Sequence, residues 1–120
     1  MGELQVKRVY DPPAPDDGYR VLVDRLWPRG VSRDRAALDA WAKDIAPSPD
    51  LRTWWNHDPA RLAEFAARYR AELDHNPAVD ALASLRRTHP RLTLLYAARD
   101  PQVNHALVLR DYLLEHAREG

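Results

Sequence analysis

Apolar positions along the chain follow two spacings, one strand-like and one helical. Leu4-Gln5-Val6-Lys7-Arg8-Val9-Tyr10 predicts a strand. It is stopped by Asp11-Pro12-Pro13-Ala14-Pro15-Asp16-Asp17-Gly18, a proline-stiffened loop. Tyr19-Arg20-Val21-Leu22-Val23-Asp24 predicts a second strand, with a continuous apolar centre of the kind buried on both faces of a parallel sheet. The loop joining these two strands is too short for a helix and allows a hairpin. A proline- and glycine-punctuated loop, Arg25-Leu26-Trp27-Pro28-Arg29-Gly30, comes next. Over residues 37–45, Leu38, Trp41, Ala42 and Ile45 match a helical stripe, but a short strand fits equally; Pro47-Ser48-Pro49 ends either.

Three later helices share one opening device, an Asp or Asn cap followed by proline at the first helical position. Asp58-Pro59 opens a face of Leu62, Phe65, Ala66, Tyr69 and Leu73. Asn76-Pro77 opens one of Ala78, Leu82 and Leu85, and Asp100-Pro101 one of Val103, Leu107 and Leu114. Between the last two helices, Arg91-Leu92-Thr93-Leu94-Leu95-Tyr96-Ala97-Ala98 is the clearest strand. Strands separated by helices require crossovers. The expectation is one α/β domain over residues 1–120: a small three-layer sandwich whose mostly parallel sheet has three or four strands flanked by helices.

Composition narrows the function classes. Of 120 residues, 45% are hydrophobic and 30% charged, with 18 basic against 18 acidic side chains. That balance argues against disorder and against a broad polybasic coat, so tight non-specific nucleic-acid binding is disfavoured. There is no cysteine, which excludes disulfides, thiolate catalysis and cysteine metal sites. No run reaches the roughly 20 apolar residues of a membrane span, and the first residues fit neither a signal peptide nor a myristoylation pattern. A cytoplasmic protein is expected. The sequence is silent on oligomeric state.

Candidate chemistry collects where two strands end, because ligands of open parallel sheets bind beyond the carboxyl ends of the strands. The second strand delivers Asp24, Arg25, Trp27 and Arg29 to that edge. The strand over residues 92–97 delivers Arg99 and Asp100, with Asn104 and His105 in the helix that follows. Residues 19–35 hold five arginines against two aspartates. Their planar forks suit carboxylate or phosphate, although the same arginines also suit pairing with neighbouring acids on a solvated face. His105 near a helix N-terminus is biased toward neutral imidazole, as a base, a polar contact, or a group satisfied by backbone. Asn104 suits ligand or water orientation, or simple exposure.

Asp58 and Asp100 read first as helix caps. Of Trp54 and Trp55, beside His57, one is expected in the core and one as a stacking wall, a role open to Trp27 too. Lys43 is a phosphate contact or a surface charge. No G-x-G-x-x-G, P-loop, G-x-S-x-G or H-E-x-x-H motif is present, and the histidines show no metal-ligand spacing. Neither metal nor cofactor is expected.

The blocks Val23-Asp24-Arg25-Leu26-Trp27-Pro28-Arg29-Gly30, Ala46-Pro47-Ser48, Leu51-Arg52-Thr53-Trp54-Trp55-Asn56-His57-Asp58-Pro59, Glu72-Leu73, Thr93-Leu94-Leu95-Tyr96-Ala97-Ala98 and Asn104-His105-Ala106 resemble the YeaO-like branch of bacterial domain-of-unknown-function family 488. The resemblance spans nearly the whole chain. It implies a small cytoplasmic α/β domain without an established activity, and favours a strand before Ala46. The wider family carries Asp-x-Arg-x-x-Pro after an early strand and Cys-His-Arg at a late helix. Asp24, Arg25 and Pro28 roughly occupy the first; Asn104-His105-Ala106 occupies the second, without its cysteine and arginine.

Two functional readings follow. In the first, a small-molecule enzyme or sensor takes an anionic, phosphate- or nucleotide-like ligand. Arg25 and Arg29 clamp the anion, His105 serves as base or polar contact, Asp24 orients Arg25 or a water, and Trp27 or Trp54 walls the site. Any reaction is expected to be hydrolysis or group transfer without covalent protein chemistry. In the second, the chain is a non-enzymatic binding module for protein or structured nucleic acid. A concave site joining Arg25, Arg29 and His105 favours the first; a flat basic surface favours the second.

Overall fold

A computed structural model describes residues 3–116. Four strands, β1 (Glu3–Arg8), β2 (Tyr19–Leu22), β3 (Ala40–Trp41) and β4 (Arg91–Tyr96), form one parallel sheet in the order β1-β4-β2-β3. β4 is the last strand in sequence and a central one in space. It pairs with β1 from Glu3↔Arg91 to Arg8↔Tyr96 and with β2 from Tyr19↔Leu92 to Leu22↔Leu95. Its buried run Leu92–Tyr96 suits a strand enclosed on both faces. The hairpin allowed by the short first loop does not form, because β4 inserts between β1 and β2. Gly18 makes the entry into β2: its φ is +67°, and a Cβ there would lie 2.4 Å from the Arg91 carbonyl oxygen.

Side chains alternate across the sheet, and the two faces receive different covers. On one face Val21, Leu92, Leu94 and Tyr96 share a core with four helices. These are α2 (Pro49–Trp55), α3 (Leu62–Leu73), α4 (Ala78–Thr88) and α5 (His105–His116). On the other face Leu22 and Leu95 meet Val9, Val31 and Ala36, the last from the single-turn α1 (Arg33–Ala36). The sheet thus lies between a thick helical layer and a thin one of loop and turn, a small α/β sandwich.

The ambiguous segment 37–45 divides. Ala40–Trp41 is the short edge strand β3, and Lys43–Ile45 is a 3₁₀ turn. The break at Pro47-Ser48-Pro49 is itself a helix start, where the Ser48 hydroxyl accepts from the Leu51 N–H with proline at the first turn of α2. Asp58 caps as expected, accepting from the Ala60 N–H, but what it opens is a 3₁₀ turn, Pro59–Arg61, that runs into α3. Asn76 accepts from the Ala78 N–H one position early: Pro77 holds the cap position of α4, which begins at Ala78. Asp100 does not open α5. It closes a turn by accepting from Gln102 N, and the helix begins at His105, with the Asn104 side chain accepting from Leu107 N at 3.0 Å. Among the described residues no helix is long and apolar enough to cross a membrane.

Candidate functional site

Beyond the ends of β2 and β4, a cavity of about 260 Å³ opens against the first turn of α5. Asp24, Arg25, Arg52, His57 and His105 are its polar lining residues, and Trp55, Pro47, Ala97 and Ala98 are among its apolar ones. The cavity exists because β2 and β4 are neighbours. Val23 N–H still donates to the Leu95 carbonyl, so the two strands leave the sheet side by side. One Asp24 carboxylate oxygen, Oδ2, then accepts from Ala97 N–H at 3.0 Å and ties the two strand exits together.

His105 closes the floor. Its Nε2 lies 3.0 Å from the Val23 carbonyl and 3.3 Å from Asp24 Oδ1. A carbonyl only accepts, so Nε2 carries the proton and donates it to Val23. Burial pushes the His105 imidazole below the usual histidine range, outweighing the opposing pull of Asp24 and the Val23 carbonyl. Burial also pushes the Asp24 carboxyl upward, against His105, the Ala97 N–H, Arg52 and His57. Burial thus favours the uncharged form of each partner, and the His105 imidazole is neutral at neutral pH.

Arg25 is held from the opposite wall. Its Nη2 donates to the carbonyls of Ala46 and Pro47 at 3.3 and 3.4 Å. Those carbonyls are fixed in turn by α3, whose Glu72 carboxylate accepts from Ser48 N–H at 2.9 Å and Ser48 Oγ–H at 2.6 Å. Arg25 Nε and Asp24 Oδ1 are both buried and have no hydrogen-bond partner. A donor and an acceptor are thus left over on two residues that line this cavity. At the rim, His57 takes a left-handed backbone (φ 54°) directly after Asn56 (φ 49°), a conformation uncommon for non-glycine residues. Its ring stands 5.1 Å from the buried Trp55 ring, which stacks on Phe65 at 3.8 Å.

Of the residues singled out from the sequence, Asp24, Arg25, His57, His105 and one of the tryptophan pair, Trp55, line this cavity; Arg29, Trp27, Trp54, Lys43, Arg99 and Asn104 do not. Arg29 is exposed, and its backbone carbonyl accepts from the Tyr10 hydroxyl, so the expected Arg25–Arg29 clamp is not assembled here. Trp27 packs into the thin layer, donating from Nε1 to the Val31 carbonyl. Trp54 lies under the guanidinium groups of Arg61 and Arg68. Lys43 is exposed above the Trp41 ring. Arg99 belongs to a separate depression beside Arg8 and Arg110. Asn104 is buried as the α5 cap and donates to the Asp100 carbonyl at 3.0 Å.

Of the tryptophan pair, Trp55 is both the core member and the wall of the cavity. One lining cation was not singled out: Arg52 supplies the second guanidinium expected of Arg29. Arg52 stands one helical turn before Asn56-His57, so recognising Ser48-Pro49 as a helix start would have brought it into view. A larger groove, about 990 Å³ between α3, α4 and α5, contains no strand-end residue. Among the described residues no group of three or more His, Asp or Glu side chains could hold a metal ion.

Comparison with known proteins agrees on the family. The chain is 49% identical over 111 residues to the uncharacterized protein YeaO of Escherichia coli, covering 92% of this chain and 96% of that one. It is 47% identical over 112 residues to the uncharacterized protein Rv3073c of Mycobacterium tuberculosis, covering 92% of each. No solved structure matches significantly. Residues 3–120 match the family described as "Inactive DUF488-N3 subclade", and with a YeaO-like relative aligned over most of its length the chain belongs to that DUF488 subclade.

Proposed function

We propose that this protein binds a small anion in the cavity at the ends of β2 and β4, and that it acts by binding rather than turnover. The observation that carries this reading is the convergence of the Arg25 and Arg52 guanidiniums with His57 on about 260 Å³ of partly apolar space. Two guanidinium groups and one carboxylate line it, leaving a net attraction for negative charge. The volume falls below the roughly 300–1,000 Å³ of drug-sized sites, which favours a phosphate-sized ion or short sugar phosphate over a whole nucleotide.

Binding without chemistry fits the side chains. The chain has no cysteine, and the family's Cys-His-Arg segment is Asn104-His105-Ala106 here. The Asn104 side chain is spent on the helix cap, and His105 spends its proton on a backbone carbonyl. The subclade's description as inactive points the same way. A cytoplasmic location accords with these properties.

Titration with inorganic phosphate, followed by thermal shift and calorimetry, tests the reading. Wild type is expected to gain thermal stability as phosphate is added. Arg52→Ala, an exposed position, is expected to keep its unliganded stability and lose affinity about tenfold. If no anion stabilises wild type, or if Arg52→Ala binds as well, the site is not an anion site.

A further inference from the structure

The cavity offers more than positive charge, and its mixture of donors and an acceptor defines what the anion must carry. Asp24 Oδ2 is occupied by the Ala97 N–H at 3.0 Å, but Oδ1 is buried and receives no hydrogen bond. The nearest donor to Oδ1, His105 Nε2 at 3.3 Å, already gives its proton to the Val23 carbonyl at 3.0 Å. Arg25, the next residue and also part of the lining, has a buried Nε–H without an acceptor. An ionised carboxylate can only accept and a guanidinium can only donate. A ligand made solely of acceptor oxygens satisfies Arg25 and sets a lone pair against Asp24. A ligand that also presents an O–H satisfies both.

We propose that the site selects an oxyanion bearing its own proton, hydrogen phosphate or the P–OH of a phosphate monoester, over fully deprotonated oxyanions of the same shape such as sulfate. This rests on the anion-binding reading above and narrows it. With Arg25 and Arg52 against Asp24 the site keeps a surplus positive charge, so an anion remains preferred to a neutral alcohol. Asp24 then acts as the filter, accepting from the ligand hydroxyl. The apolar walls from Trp55, Pro47, Ala97 and Ala98 limit water's ability to bridge a mismatched oxygen, which sharpens the rejection.

Calorimetry at neutral pH and constant ionic strength, with the wild-type chain and phosphate, arsenate, sulfate and methyl phosphate, tests this directly. Phosphate and arsenate, which both retain a proton, are expected to bind at least about tenfold more tightly than sulfate. Affinity for methyl phosphate that grows as its P–OH form becomes populated below neutral pH marks a monoester site, and binding of the inorganic ions alone marks a free-phosphate site; both support the filter. Asp24→Asn, whose amide can keep the Ala97 contact while offering a donor, is expected to bring the phosphate-to-sulfate ratio within about threefold. Equal binding of sulfate and phosphate by wild type overturns the filter but leaves the anion site standing. Failure of every anion to bind overturns both. The wild-type series decides the matter even if Asp24→Asn does not fold.

Discussion

On one face of the sheet, Val21, Leu92 and Leu94 share an apolar cluster with Trp55, Phe65, Leu73 and Leu109. On the other, Arg20 and Thr93 stand beside Leu22 and Leu95, and the cover is a loop, a 3₁₀ turn at Pro15–Asp17 and one turn of α1. The thin layer cannot bury much apolar surface, so it closes with charge. Arg20, only 4% exposed, pairs with Asp17 and donates to the carbonyls of Ala36 at 2.8 Å and Ala37 at 3.1 Å. Lys7 reaches Asp17 at 3.1 Å, and the Thr93 hydroxyl donates to the Asp17 carbonyl at 2.6 Å. Apolar burial is non-directional and tolerates repacking. A buried ion pair is directional, and losing either partner strands the other. The same sheet is therefore held by a forgiving layer and an exacting one, and the cavity opens at the rim above them.

Substitutions that separate the two layers sharpen this contrast. Phe65→Ala, in the thick layer, is expected to cost about 4 kcal/mol in urea unfolding, as a large ring is lost from a closed core. A conservative Phe65→Leu should recover most of it. Asp17→Asn, in the thin layer, is expected to cost about 3 kcal/mol although it changes few atoms, because Arg20 is left buried without its counter-ion. Combining it with Arg20→Met is expected to return part of that loss; a double variant worse than the single one breaks the comparison.

Acid separates the regions by a smaller effect. His105, at the thick layer's rim, is held below the usual histidine range by burial, so the folded state binds fewer protons than the unfolded one. Its contribution is present above the ordinary histidine pKa of about 6.5 and is lost as pH falls through it. At Asp17, burial pushes upward but is outweighed by hydrogen bonds from the Ala14 N–H, Lys7 and Arg20, leaving it below the usual carboxylate range. Its contribution is present above the ordinary carboxylate pKa of about 3.9 and is lost in stronger acid. Melting temperature against pH is expected to fall in two stages, the first absent in His105→Gln and the second in Asp17→Asn. A first stage that persists in His105→Gln assigns the loss elsewhere.

The elements were legible where a local rule governs them. Alternation and apolar runs marked β1, β2 and β4, and the Asp58-Pro59 and Asn76-Pro77 caps marked α3 and α4. The same rule went unread at Ser48-Pro49, where two prolines suggested only a break. At Asp100-Pro101 it misled, because Asn104 captures the Leu107 N–H and starts α5 later. Of the candidate site, Asp24, Arg25 and His105 were legible because each follows a strand end or opens a helix. Trp55 was marked beside Trp54 as core or wall with nothing local to choose between them, and Arg52 was not marked, because its place depends on the helix that Ser48-Pro49 opens. Arg29 looked equivalent to Arg25, four residues earlier, and nothing local distinguishes the two.

By itself, then, the order of residues determined an α/β domain, a parallel sheet, and a strand-end rim where His105 and a run of arginines would be found. The tertiary structure decided which arginines line the cavity, which tryptophan walls it, and that a carboxylate oxygen and a guanidinium N–H of its lining residues remain unmatched. The reason is physical. Strand and helix signals act over a few neighbours, whereas the insertion of β4 between β1 and β2 joins Asp24 to Ala97, residues far apart in the chain whose meeting no local preference encodes.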